Sequence, residues 1–121
     1  MTDLAARIPF LMDELSTPKS VYDRLGEIQL VDCREQYEWE AGRVDGAIFI
    51  PLNQIMAGGG ADLDQAKPVV VVCRTGNRSE LATMMLQARG FDAHNLEGGM
   101  EAWQSAGLPF SAPDGSAGHV A

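Results

Sequence analysis

Four consecutive valines, Val69 to Val72, constrain this chain more than any other feature. A strand covered on one face alternates apolar and polar residues. A run that is apolar at every position is covered on both faces, as in the centre of a parallel sheet. The run ends at Cys73, and Arg74-Thr75-Gly76-Asn77-Arg78 follows. Ser79 then opens a helical pattern that reaches Arg89, with Leu81, Ala82, Met85, Leu86 and Ala88 as an apolar stripe and Gly90 as its stop.

The rest of the chain repeats the alternation. Thr17-Pro18 reads as a helix cap with proline at the first helical position, and that helix runs to about Leu25. Ile28 to Val31 reads as a strand ending at Asp32, and Glu35 to Ala41 as a short helix stopped by Gly42. Ala47 to Ile50 is the next strand, and Leu52 to Met56 one helical turn before Gly58-Gly59-Gly60. Ala93 to Leu96 is a strand, and Met100 to Ala106 a helix stopped by Gly107. Leu11 to Ser16 fits a short helix or an edge strand equally well. These elements predict an α/β domain with an open, mostly parallel sheet of four to five strands and helices on both faces. Ligands in such sheets sit at the C-terminal ends of strands, where Asp32, Cys73 and Glu97 fall. Ser111 to Ala121 is rich in Gly, Pro, Ser and Ala and reads as a disordered tail.

Composition narrows the function classes. A length of 121 residues suits one domain, and 45% hydrophobic residues allow a core without disulfides or a structural metal. A net charge of -8 argues against a nucleic-acid partner. It also repels small anions at long range, so local arginines would have to attract an anionic substrate. The N-terminus lacks the basic start and continuous apolar core of a secretory signal. No window approaches the roughly 20 apolar residues of a membrane span, so a soluble cytoplasmic protein with no membrane partner is expected. His94 and His119 form no short ligand spacing with Cys33 or Cys73, and no metal or cofactor is expected.

A cysteine between a buried strand and a helix N-terminus is poised to be an anion. Loop amides and the helix dipole face its sulfur, and Arg74 and Arg78 add positive charge. Such a thiol is a soft nucleophile with a lowered pKa. Gly76 lets the loop curl so that its amides converge, while Thr75 and Asn77 shape it. Ser79 either caps the helix or donates to the sulfur. Asp32 and Arg34 form either a surface pair or a brace for the loop.

Three segments carry a family resemblance: LVDCREQYEWEAGRVDGAIFIPL, CRTGNRS, and NLEGGMEAW followed by GLP. In this order, over about Ser16 to Phe110, they resemble a single-domain rhodanese. Residues 1–15 then form an N-terminal extension, 16–110 the domain and 111–121 the tail. The resemblance implies a sulfurtransferase in which Cys73 cycles between thiolate and persulfide. Sulfane sulfur would come from thiosulfate or another persulfide donor and pass to cyanide, a thiol or a protein acceptor. Asp32 and Arg34 match the family's DxR pair, with Glu38 and Gly42 following, and Trp103 matches its structural tryptophan. Arg43 stands where the family usually has histidine, and Cys33 where valine is common.

Two other functions fit parts of the pattern. A non-enzymatic persulfide carrier or docking module would share the same cysteine loop. A cysteine phosphatase or arsenate reductase would need Cys-x5-Arg, whereas Arg78 stands at Cys-x4-Arg, a ring better suited to one sulfur atom than to a tetrahedral phosphate. Cys33 reads as a small apolar residue replacing valine, with a resolving thiol as the alternative.

Overall fold

The computed structural model describes residues 15–121. Most of the expected Leu11–Ser16 segment, and nearly all of the N-terminal extension, lie outside the described residues. Nine elements follow in alternation: α1 (Pro18–Asp23), β1 (Gln29–Asp32), α2 (Gln36–Ala41), β2 (Ile48–Phe49), α3 (Leu52–Met56), β3 (Val69–Val72), α4 (Asn77–Ala88), β4 (Ala93–Asn95) and α5 (Gly99–Ser105). A 3-10 turn at Leu25–Glu27 links α1 to β1. Pro18 starts α1 as expected, but Thr17 makes no side-chain capping bond there.

The strands form one sheet in the order β2-β1-β3-β4, and every pairing is parallel. The chain therefore builds outward in one direction from β1 and in the other from β3. The crevice between the ends of β1 and β3 is the switch point where ligands bind in open α/β sheets. All four valines of β3 are buried, because the side chains alternate between two cores. Val69 and Val71 join Val31, Ile55, Ala82 and Leu86 under α3 and α4. Val70 and Val72 join Leu30, Val21, Met100 and Trp103 under α1 and α5. Helices thus cover both faces, and the expected α/β architecture is present with four strands.

Two readings are corrected. Helix α4 begins at Asn77 rather than Ser79, with Gly76 as its N-cap at φ 105°. Asn77 and Arg78 are therefore its first turn and not loop. Its buried side is Ser79, Ala82, Thr83 and Leu86, while Leu81 is exposed, so the inward stripe is narrower and more polar than expected.

The tail also differs from the disordered reading. Ser111 and Arg43 exchange both backbone hydrogen bonds at 3.0 Å, and Ser111 also bridges Ala117. His119 N–H donates to Ala41 carbonyl at 3.1 Å, and Val120 packs against the Trp103 core. Composition predicts little apolar packing here, but backbone pairing to the segment after α2 needs no apolar side chains. Gly42 and Gly118 let the two backbones meet: a Cβ on Gly42 would lie 2.9 Å from the Gly118 Cα.

No helix among the described residues is long and apolar enough to cross a membrane. Among them, no three His, Cys, Asp or Glu side chains gather where they could hold a metal ion.

Candidate active site

Cys73 follows the last residue of β3, and the chain turns sharply at Gly76 into α4. Gly76 takes a left-handed conformation that strains any side chain. That turn points the Gly76 N–H at Cys73 Sγ, 3.1 Å away. Ser79 Oγ, from the first turn of α4, lies 3.2 Å from the same sulfur. Ser79 therefore faces the sulfur and does not cap the helix.

Burial alone pushes the Cys73 thiol up. Hydrogen bonds from the Ser79 hydroxyl and from the Ser79, Gly76 and Thr75 backbone outweigh it and hold the thiol below its ordinary value. Cys73 as a whole is 1% exposed, while Arg74, Thr75 and Asn77 around it are exposed. The sulfur thus lies at the bottom of a polar rim.

The loop rests on two elements that the sequence alone did not single out. Met100 N–H donates to Cys73 carbonyl at 2.8 Å, and Glu101 N–H to Arg74 carbonyl at 3.0 Å. The first turn of α5 thereby ties down the start of the loop. Gly99 makes this approach possible, since a Cβ there would sit 2.6 Å from the Arg74 carbonyl and still closer to that of Cys73. Asn95, at the end of β4, donates through Nδ2 to Gly76 carbonyl at 3.1 Å and accepts from Ser79 Oγ at 2.5 Å. The single Ser79 proton is therefore contested between Asn95 and the Cys73 sulfur. The NLEGG segment offered a signal for both contacts, as a polar residue ending a strand and a double glycine opening a helix.

Both arginines are already paired. Arg78 donates to the two oxygens of Glu38 at 2.7 and 2.9 Å. Burial opposes the Glu38 charge, but the Arg78 hydrogen bond, the Glu35 N–H and the Arg78 and Arg34 charges outweigh it and lower the pKa. The same Glu38 hydrogen bond raises the pKa of Arg78. Arg74 pairs with Glu101 at 3.0 Å, both about half-exposed.

Asp32 and Arg34 form a buried pair. Arg34 Nε lies 2.9 Å from one carboxylate oxygen and Nη2 2.8 Å from the other. Nη2 also donates to Gly42 carbonyl at 2.7 Å. The pair joins the end of β1 to the end of α2, the helix that carries Glu38. Its route to the loop runs through Glu38, which feels the Arg34 charge and accepts both Arg78 hydrogen bonds. Arg43 lies over the Trp39 ring, 4.6 Å from its centroid, so this departure from the family pattern is accommodated by an aromatic face.

The profile of the rhodanese-like domain matches residues 17–106. This chain belongs to the rhodanese-like domain family. It is 39% identical over 92 residues to the "Probable adenylyltransferase/sulfurtransferase MoeZ" of Mycobacterium tuberculosis, covering 72% of this chain and 24% of that protein. The chain thus spans about a quarter of that relative's length. It is 39% identical over 82 residues to the "Thiosulfate sulfurtransferase GlpE" of Shewanella oneidensis, covering 65% of this chain and 78% of GlpE. The crystal structure of a rhodanese-related protein from Thermoplasma volcanium superposes with a TM-score of 0.73 at 28% identity, covering 78% of this chain and 93% of that one. This membership supports a sulfurtransferase-like function in general.

Proposed function

We propose that this rhodanese-like domain carries sulfane sulfur as a persulfide on Cys73, takes it from a thiol-borne persulfide, and hands it to an acceptor thiol. The observation that carries this reading is the pair of donors on Cys73 Sγ, Gly76 N–H at 3.1 Å and Ser79 Oγ at 3.2 Å. In the loading step the Cys73 thiolate attacks the outer sulfur of R–S–SH. The new Sγ–S bond forms, the old S–S bond breaks, and R–S⁻ leaves. In the unloading step an acceptor thiolate attacks the same outer sulfur and Cys73 leaves as a thiolate. The donors that lower its pKa make it a good leaving group. Neither step needs an oxidant or a general base.

Two features favour this carrier over a thiosulfate-to-cyanide enzyme. Cys73 is almost wholly buried, which shelters a loaded sulfur until an acceptor reaches into the rim. The two arginines expected to hold thiosulfate are neutralised by Glu38 and Glu101. Thiosulfate, a dianion at its reacting group, must compete with those carboxylates in a protein of net charge -8, whereas a persulfide presents at most one charge at its transferring sulfur.

The test is parallel loading with glutathione persulfide and with thiosulfate at equal concentration, followed by intact-protein mass spectrometry. Glutathione persulfide should add one sulfur atom to Cys73 faster, and a thiol should remove it. Faster loading by thiosulfate would restore the thiosulfate enzyme. No loading by either donor would remove the persulfide reading.

A further inference from the structure

Cys33 and Cys73 stand side by side at the switch point of the sheet. β1 and β3 run in register through Asp32 and Val72. One step further on, Cys33 N–H still donates to Val72 carbonyl at 3.0 Å, the parallel-ladder bond that sets Cys33 opposite Cys73. Neighbouring strands lie about 4.8 Å apart. That spacing falls within the roughly 4.4–6.8 Å Cα separation that a disulfide spans. Alternation puts both side chains on one face, and both belong to the core cluster beneath α3 and α4. Both are free thiols and each is 1% exposed.

Sulfur transfer through Cys73 makes no use of this neighbour. Burial, then the charges of Cys73 and Asp32, push the Cys33 thiol up to about 12. Cys33 therefore stays protonated and inert while Cys73 is a thiolate. An anionic persulfide on Cys73 keeps a negative charge nearby. Oxidation of Cys73 to a neutral sulfenic acid removes that charge and leaves an electrophilic sulfur beside Cys33.

We propose that Cys33 is a resolving thiol, which closes a reversible disulfide with Cys73 after a hydroperoxide has oxidised Cys73. The Cys73 thiolate attacks one peroxide oxygen, the O–O bond breaks, and the second oxygen leaves as water or an alcohol after taking a proton. The Cys33 sulfur then attacks Cys73 Sγ. The S–O bond breaks, and the hydroxyl leaves as water with the Cys33 proton. Two thiols are oxidised and one hydroperoxide is reduced. The disulfide keeps Cys73 off the irreversible path to sulfinic acid, and an external dithiol restores both thiols. This role uses the acidic thiol of Cys73 but not sulfur transfer, so it stands or falls separately from the persulfide reading.

The experiment treats the reduced full chain with several equivalents of hydrogen peroxide, enough to carry an unprotected thiol to sulfinic acid, then maps peptides without reductant. The wild type should show an intramolecular Cys33–Cys73 cross-link, and dithiothreitol should return nearly all of Cys73 to an alkylatable thiol. Cys33→Val should instead accumulate dithiothreitol-resistant sulfinic acid on Cys73, with little thiol recovered. A wild type that forms Cys73 sulfinic acid with Cys33 still free, or that links Cys73 only to a second copy, would overturn the proposal. The wild-type map decides this even if the variant folds poorly.

Discussion

Arg78 and Glu38 lie forty positions apart and meet through two hydrogen bonds, 2.7 and 2.9 Å long. The pair clamps the first turn of α4 to α2, and so fixes the helix end that faces Cys73. Glu38 is buried and Arg78 about one-third exposed, so the contact is neither a solvated surface pair nor a fully dry one. Replacing Glu38 by glutamine leaves the guanidinium without its counter-charge.

Glu38→Gln should destabilise the fold by about 1–3 kcal/mol near neutral pH, the range for breaking a buried charged hydrogen bond. The folded pKa of Glu38 is depressed below 4.5, so its stabilisation is complete above that unfolded value and is lost as pH falls through the lower folded value. Urea unfolding of both proteins between neutral and acidic pH checks this. The difference between them should shrink at the acid end and should not grow there.

Glu101→Ala should release Arg74 with little effect on stability, because this pair is half-exposed. A freed guanidinium beside the rim should raise thiosulfate loading of Cys73 several-fold and glutathione persulfide loading much less, because thiosulfate carries two charges at its reacting group. Paired rate constants for the two donors measure it. Equal changes with both donors would mean that Arg74 acts on loop shape and not on donor charge.

Cys73 should alkylate with a midpoint below the ordinary thiol value of about 8.5. Ser79→Ala removes a hydroxyl that helps hold the thiol down, so its midpoint should rise. Iodoacetamide rates against pH report both. In Cys73→Ser, sulfur loading should fall to background while the circular dichroism stays unchanged.

Gly99→Ala should disturb the loop without touching any side chain of the site. Its φ of 59° and the carbonyls of Cys73 and Arg74 leave no room for a Cβ. The strain falls on the α5 bonds to those carbonyls, so persulfide loading should drop at least about tenfold, equivalent to a 1.4 kcal/mol higher barrier. The Cys73 alkylation midpoint should rise in parallel. An unchanged midpoint with normal loading would mean that the loop holds its shape without α5.

Much of this was legible in the sequence because the signals were local. Val69 to Val72 marked the central strand, and Cys73, Gly76 and Ser79 marked the turn, since burial, glycine and a helix start follow one another there. Helix α4 starts two residues before the position its sequence suggests, because Asn77 and Arg78 look like loop residues by type. Only the left-handed Gly76 reveals that the helix has already begun. The pairings of Arg78 with Glu38 and Arg74 with Glu101 carry no short-range signal, as each joins segments far apart in the chain. Cys33 showed the same limit. Strand alternation gave its face relative to Asp32, but only the register of β1 against β3 set it beside Cys73.

Removing the chain after Phe110 should weaken the fold, contrary to what its composition suggests. The tail supplies two backbone hydrogen bonds to Arg43 and one to Ala41, and Val120 adds to the core around Trp103. Loss of these contacts should cost about 2–4 kcal/mol, from roughly 0.5–1.5 for each hydrogen bond and part of a valine burial. Ala41 and Arg43 flank Gly42, whose carbonyl accepts from Arg34. The truncated protein should therefore also loosen α2 and, through Glu38, the Arg78 clamp. Denaturant unfolding and glutathione persulfide loading of the truncated protein measure the two effects. Loading should fall less than stability, because Gly76 and Ser79 hold the sulfur, and Asn95 holds them, without help from the tail. Unchanged stability would return residues 111–121 to the status of a dispensable appendage.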